Sequence, residues 1–172
     1  MSRVEEEPSS REWFRTSKFK GGYPKTATLH YYFHDTLSGQ NPSAVRVVPS
    51  PVANRTFTFF GQMTMVDNPL TAGPDPSSRL VGRAQGLYAS AGLEQLSLLM
   101  VMNLYFPDGP YKGSTLALLG RNAALEKYRE MPIIGGTGVF RFASGVALAN
   151  TYSLDLTTGD AVVEYHVLVS YF

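Results

Sequence analysis

The clearest capacity for proton chemistry lies in a carboxylate and a phenol carried by two alternating runs. In "TATLHYYFHD" (26–35), Leu29, Tyr31, Phe33 and Asp35 share one face, and His30, Tyr32 and His34 share the other. If the first face points inward, Asp35 sits among apolar and aromatic side chains. Loss of solvent there raises a carboxyl pKa and suits the group to giving and taking a proton. The other reading of Asp35 is a cap for the turn that begins at Thr36. In "LVGRAQGLYAS" (80–90), Tyr88 shares a face with Gly82, Ala84 and Gly86. Three small residues side by side leave room, either for a cavity with a phenol at its rim or for a bulky facing strand. Tyr31 and Phe33, beside Asp35, are the candidate aromatic contacts for a bound substrate.

Other chemistries find less support. The chain has no cysteine, which removes disulfides, thiolate nucleophiles and zinc–thiolate sites. Its three histidines are His30, His34 and His166. Neither His30 nor His34 has a second ligand two residues on, so no metal site is expected. A Ser-His-Asp arrangement lacks the G-x-S-x-G turn that would present its serine. "GGTG" (135–138) invites a phosphate-cradling reading, but a strand-forming run, Val139-Phe140-Arg141-Phe142, follows it in place of a helix or a Lys-Ser/Thr pair. It reads as a sharp turn between strands that needs positive φ. Arg83 and Arg121 read as surface or turn residues.

These groups need a scaffold, and the chain describes one. At 172 residues and 44% hydrophobic it suggests one domain with a sizeable core. A net charge of +1 offers no field to attract nucleic acid or an anionic membrane, and no run approaches the roughly 18 apolar residues of a membrane helix. Residues 1–25 read as a flexible polar leader without the apolar core of a signal peptide, and residues 26–172 as a β-domain. Strand-type runs at 26–35, 55–66, 80–90, 96–106, 113–120, 139–155 and 161–172 are separated by Pro, Gly, Asn and Asp clusters. "LSLLMVMNLYF" (96–106) is apolar enough for a strand buried on both faces. The one helix-like stretch is "RNAALEKYREM" (121–131), too short to cover a sheet. About eight strands joined without crossover helices predict an antiparallel sandwich or a closed barrel, the latter disposing of exposed edges.

Five strings are more specific than composition. "YYFHDTLSGQNPSAVRV", "MVDNPLTAGPDPSSRLVGRAQGLYAS", "GSTLALLGRN", "IIGGTGVFRFASG" and "TGDAVVEYHVLV", in this order, resemble the plant dirigent proteins, in the branch that includes pterocarpan synthases. The similarity runs from about residue 28 to 172. It implies an all-β fold, an eight-stranded antiparallel barrel with a central pocket, assembled as a homotrimer and without a cofactor. Some family members capture phenoxy radicals or quinone methides supplied by an oxidase and steer their coupling to one isomer. Others guide dehydration and cyclisation of isoflavanols.

The resemblance implies that Asp35, in the HD motif, and Tyr88, in the AQG-x-Y motif, are pocket residues that act on the substrate. Asp67, in D-x-P-L-T, takes a supporting role. The family's arginine and aspartate near the glycine segment are matched to Ser144 and Val139, so both charges are lost there and a changed specificity is expected. The partner is a small phenolic molecule, with no nucleic acid and no membrane. Whether the chain directs coupling, acts as a carbon–oxygen lyase and cyclase, or only binds phenolics is left open. The resemblance also implies a secreted, apoplastic glycoprotein, its signal peptide removed and Asn54 of the Asn54-Arg55-Thr56 sequon glycosylated.

Overall fold

The computed structural model describes residues 22–52 and 55–172, so Asn54 and residues 1–21 of the leader lie outside it. Nine strands follow in chain order: β1 Lys25–Asp35, β2 Ala44–Val48, β3 Met63–Thr71, β4 Leu80–Ser90, β5 Leu98–Tyr105, β6 Thr115–Asn122, β7 Arg129–Thr137, β8 Ser144–Leu154 and β9 Ala161–Tyr171. From β3 to β9 each strand pairs antiparallel with the next. β9 then pairs with β1 along its whole length, from Lys25↔Tyr171 to Asp35↔Ala161. β1 meets β3 at Tyr32↔Thr71 and Phe33↔Leu70, which closes an eight-stranded barrel. β2 is an extra strand. After the loop at 36–43 the chain resumes along the same edge of β3, with Ala44 opposite Val66.

Period-two alternation decides what fills the barrel. Tyr31 and Phe33 from β1, Ala84 and Tyr88 from β4, Met100, Met102 and Leu104 from β5, and Tyr165, Val167 and Val169 from β9 all point inward and are buried. Gly82 belongs to this inner face: a Cβ there would lie 3.3 Å from Leu70 and 3.5 Å from Phe106. The bulky-neighbour reading of the small stripe therefore holds at that end. The same end is plugged by Phe106, Tyr111, Phe140 and Tyr171, with ring centroids of Tyr111 and Phe140 4.7 Å apart. The opposite end is left hollow.

Several local expectations change: the run 55–66 is strand only from Met63, and β7 runs through Gly135–Thr137, leaving the turn to start at Gly138. β5 is not buried on both faces; Leu99 and Val101 are 41% and 39% exposed, and only the inner residues are covered. Its outer face presents Leu99 and Val101 unpacked among the described residues. The stretch 121–131 forms no helix; β6 runs to Asn122, β7 starts at Arg129, and a short turn joins them. So few residues cannot repay helix nucleation, and the Arg129 side chain takes up the free carbonyls of Ala124 and Glu126 instead. The run 139–155 is strand only from Ser144. Before it the chain turns through a single 3₁₀ turn at Gly138–Phe140, with Gly138 at φ 61° and Phe142 at φ 62°.

Candidate active site

The hollow end of the barrel encloses a cavity of about 390 Å³, walled by Phe33, Tyr88, Met100 and Tyr165 and rimmed by Phe59 and Leu156. Asp35, the last residue of β1, lies in its wall. One carboxylate oxygen, Oδ1, accepts from Asn68 Nδ2 at 2.9 Å, and Oδ2 accepts from the Tyr88 hydroxyl at 2.9 Å. Asn68 is set in turn by the Ser43 hydroxyl, which donates to its Oδ1 at 2.6 Å. A chain of donors from Ser43 through Asn68 thus orients the carboxyl toward the cavity.

Burial pushes the Asp35 carboxyl above its usual pKa, and the nearby Asp160 charge adds to the rise. The hydrogen bonds from Asn68 and Tyr88, and the Arg46 charge, only partly offset it. Tyr88 is pushed up as well, first by burial and then by the Asp35 charge, so its hydroxyl stays a donor. Tyr165 is raised by burial. The site therefore pairs an exchangeable proton on Asp35 with a phenol that keeps its own.

The turn after Asp35 is held by another residue. Asp160 Oδ1 accepts from the backbone N–H of Leu37 at 2.7 Å and of Ser38 at 3.0 Å, and its Oδ2 accepts from the Ser38 hydroxyl at 2.5 Å. That clasp links the 36–43 loop to the cavity rim at Thr157–Gly159. Hydrogen bonding to Ser38 holds the Asp160 carboxyl below its usual pKa. A lowered folded-state pKa stabilises the fold above the unfolded value of about 3.9, and this contribution is lost as pH falls through the folded one. We expect Asp160→Ala to cost about 1–2 kcal/mol. Hydrogen exchange would show the Leu37 and Ser38 amides losing protection while those of β5 keep theirs.

Of the other residues singled out in the sequence, Phe33 lines the cavity, and Tyr31 lies deeper in the core, stacked on Tyr165 at 5.5 Å. Asp67 is on the outer face, where its Oδ1 accepts from Arg83 Nε at 2.5 Å. Its neighbour Asn68 occupies the inner position. Val139 and Ser144 are exposed at the plugged end, away from Asp35 and Tyr88; Val139 donates its N–H to Ser114 Oγ at 3.0 Å, and Ser144 pairs with Ser170.

Two further buried polar residues line the cavity, Asn122 and Arg129. Arg129 is buried, and burial lowers its pKa. Its Nη1 donates to Ala124 O, Glu126 O and, at 2.7 Å, Thr151 Oγ1, but its Nε has no partner. Asn122 Oδ1 is likewise buried without a partner. Among the described residues, Arg129 Nε and Asn122 Oδ1 are thus a buried donor and a buried acceptor left unpaired on side chains that line the cavity. The signal for both was alternation, since Arg129 shares the face of Met131 and Ile133, and Asn122 that of Leu116 and Leu118.

The sequence profile of the family described as Dirigent-like protein matches residues 26–170. Dirigent protein 23 of Arabidopsis thaliana is 51% identical over 148 residues, 86% of this chain and 79% of that protein. Pterocarpan synthase 1 of Glycine max is 48% identical over 145 residues, 84% of this chain and 78% of that protein. Among solved structures, the pterocarpan synthase dirigent protein GePTS1 superimposes with a TM-score of 0.82 at 46% identity, covering 90% of this chain and 89% of the other. The chain belongs to the dirigent family.

Proposed function

We propose that the cavity receives a phenylpropanoid-derived phenolic intermediate, a phenoxy radical or the quinone methide that follows from it, and directs the geometry of its bond formation. The observation that carries this reading is Asp35, a carboxyl of raised proton affinity held by Asn68 and Tyr88 in an aromatic wall. A cavity of about 390 Å³ falls in the range of small-molecule sites, roughly 300–1,000 Å³. In the quinone methide, the attacking hydroxyl oxygen bonds to the electron-poor methide carbon and gives its proton to Asp35, the quinone oxygen takes a proton and becomes a phenol, and Tyr88 orients a phenolic oxygen. Arg129 and Asn122 supply a fixed donor and acceptor that favour one pose over its mirror image. Any radical is made beforehand by a phenol oxidase acting as partner.

A second reading is favoured by the same raised pKa. A carboxylic acid that keeps its proton can donate it to a leaving hydroxyl, as dehydration of an isoflavanol requires. Water then departs, a neighbouring phenolic oxygen closes the ring, and its proton returns to Asp35. The net change is loss of one water, with no oxidant. The pterocarpan synthases among the relatives make this the natural rival.

Both readings belong to a protein we place outside the cell, glycosylated at Asn54 and trimeric. The apolar outer faces of β5 and β6, with Leu99, Val101 and Leu119 exposed, support the trimer. The decisive experiment incubates the protein with coniferyl alcohol plus a laccase, and separately with isoflavanols alone, followed by chiral chromatography. Enantiomeric excess only in the first arm is the expected result. Turnover of isoflavanol without laccase replaces it with the cyclase reading, and racemic mixtures in both arms reject both in favour of a binding protein.

A further inference from the structure

The outer face of the β1–β9 pair carries a second constellation, unrelated to the cavity. His30 and His166 sit directly opposite each other in the ladder, and their rings stack with centroids 4.4 Å apart. Glu164, two residues before His166 on the same face of β9, brings its Oε1 to 2.8 Å from His30 Nε2 and 3.5 Å from His166 Nε2. The donor atoms of all three lie within 4.8 Å of one another. Neither His30 nor His34 has a second ligand two residues on along β1; the partners of His30 come instead from a strand about 134 residues away. His34, the third imidazole, is buried and bonds Thr71 Oγ1 at 2.7 Å.

We propose that His30, Glu164 and His166 form a binding site for one divalent transition-metal ion of the copper and zinc class. Around a tetrahedral ion with bonds of 2.0–2.2 Å, neighbouring ligand atoms stand roughly 3.3–3.5 Å apart. The two distances to Glu164 need only shifts of a few tenths of an ångström to fit. The strands that carry the ligands are paired without interruption here, which fixes their backbones, and the two stacked rings, 17° from parallel, turn about their side-chain bonds to aim both in-plane lone pairs at one ion. Two imidazoles and one carboxylate suit Cu²⁺, Zn²⁺ and Ni²⁺ in preference to Ca²⁺ or Mg²⁺. The Tyr32 hydroxyl donates to Glu164 Oε1 at 3.2 Å and so supplies the outer hydrogen bond that orients a ligating carboxylate. The Tyr152 ring packs edge-on against that of Tyr32, with centroids 5.6 Å apart, and steadies the phenol. Positions not filled by protein stay open to water. An ion here would tie β1 to β9 on the outside, behind the Phe33 and Tyr165 that wall the cavity.

The test uses tag-free, chelator-stripped protein titrated calorimetrically with CuCl₂ and with ZnCl₂ in the presence of millimolar Mg²⁺. Saturable binding of one ion per chain is expected, tighter for Cu²⁺ than for Zn²⁺. His30→Ala and His166→Ala should each weaken it at least about tenfold, and Glu164→Gln should weaken it with the fold unchanged. The electron paramagnetic resonance spectrum of the Cu²⁺ complex should show coupling to two imidazole nitrogens. The three side chains are at least partly exposed, so circular dichroism should be the same for every variant. Absence of one-to-one binding, or Cu²⁺ affinity unmoved by the two histidine variants, would reduce the cluster to a surface hydrogen-bond group and overturn the site.

Discussion

Asp35→Asn is expected to fold as the parent does and to lose control over product stereochemistry. The amide keeps an oxygen for Asn68 and an N–H₂ that the Tyr88 oxygen can accept, so the local network survives. It cannot take or give the proton, and removing such a group costs roughly 10²–10⁴ in rate. Uncatalysed trapping then dominates and the product becomes racemic. Stability moves the other way. A folded-state pKa raised above the unfolded value favours folding below the unfolded value, and that contribution is lost as pH rises through the folded pKa. Wherever the carboxyl is ionised, the parent carries the cost of a buried charge that the variant does not. The melting temperature of the variant should therefore equal or exceed that of the parent at pH 7, and the gap should close as pH falls. Retained enantiomeric excess in a folded variant would sink the assignment of Asp35.

Gly86→Ala should be among the most damaging small substitutions in the barrel. A Cβ at Gly86 would stand 2.1 Å from the Val101 carbonyl oxygen and 2.9 Å from Met102 Cα, both backbone atoms of the paired strand β5. No side-chain rotation relieves that overlap, so β4 and β5 would have to part. The cost should exceed about 3 kcal/mol, a large share of the 5–15 kcal/mol that holds a domain together. Gly135→Ala is the control, because nothing lies within 4 Å of its Cβ and its φ is not positive. Urea titration should show the first variant unfolded or with a much lower midpoint, and the second within about 1 kcal/mol of the parent. Equal midpoints would mean that the β4–β5 ladder is looser than its geometry shows.

The barrel was legible because its strands alternate and its turns are marked by Gly, Pro and Asn. Asp35 and Tyr88 were legible for the same reason, as polar residues on otherwise apolar or small faces. The remainder depended on register. On β3 the choice between Asp67 and Asn68 is one residue, and one residue flips the side chain from solvent to cavity. Nothing in "VDNPLT" favours the neutral amide over the acid until Asn68 is seen opposite Ala84 on the inner face. Arg129 was hidden inside a stretch of good helix formers, and only counting back from Met131 and Ile133 would have turned it inward. The outer apolar residues of β5 read as core because hydrophobicity does not tell which covering surface is meant. Ser144 and Val139 were located through a string in the glycine segment, and the chain carries that string to the plugged end, while the buried cation of the cavity is Arg129.

The ladder between β1 and β9 has a further meaning in time. His30 and Glu164 are 134 residues apart, yet their strands are direct neighbours. At about 5–20 residues per second of synthesis, the first strand leaves the ribosome roughly 7 to 27 s before its partner exists. Until then an apolar sheet grows with its first edge unpaired, able to pair with another nascent chain. β9 is the strand that shuts the barrel, so birth of the cavity and protection from aggregation arrive together, with its synthesis.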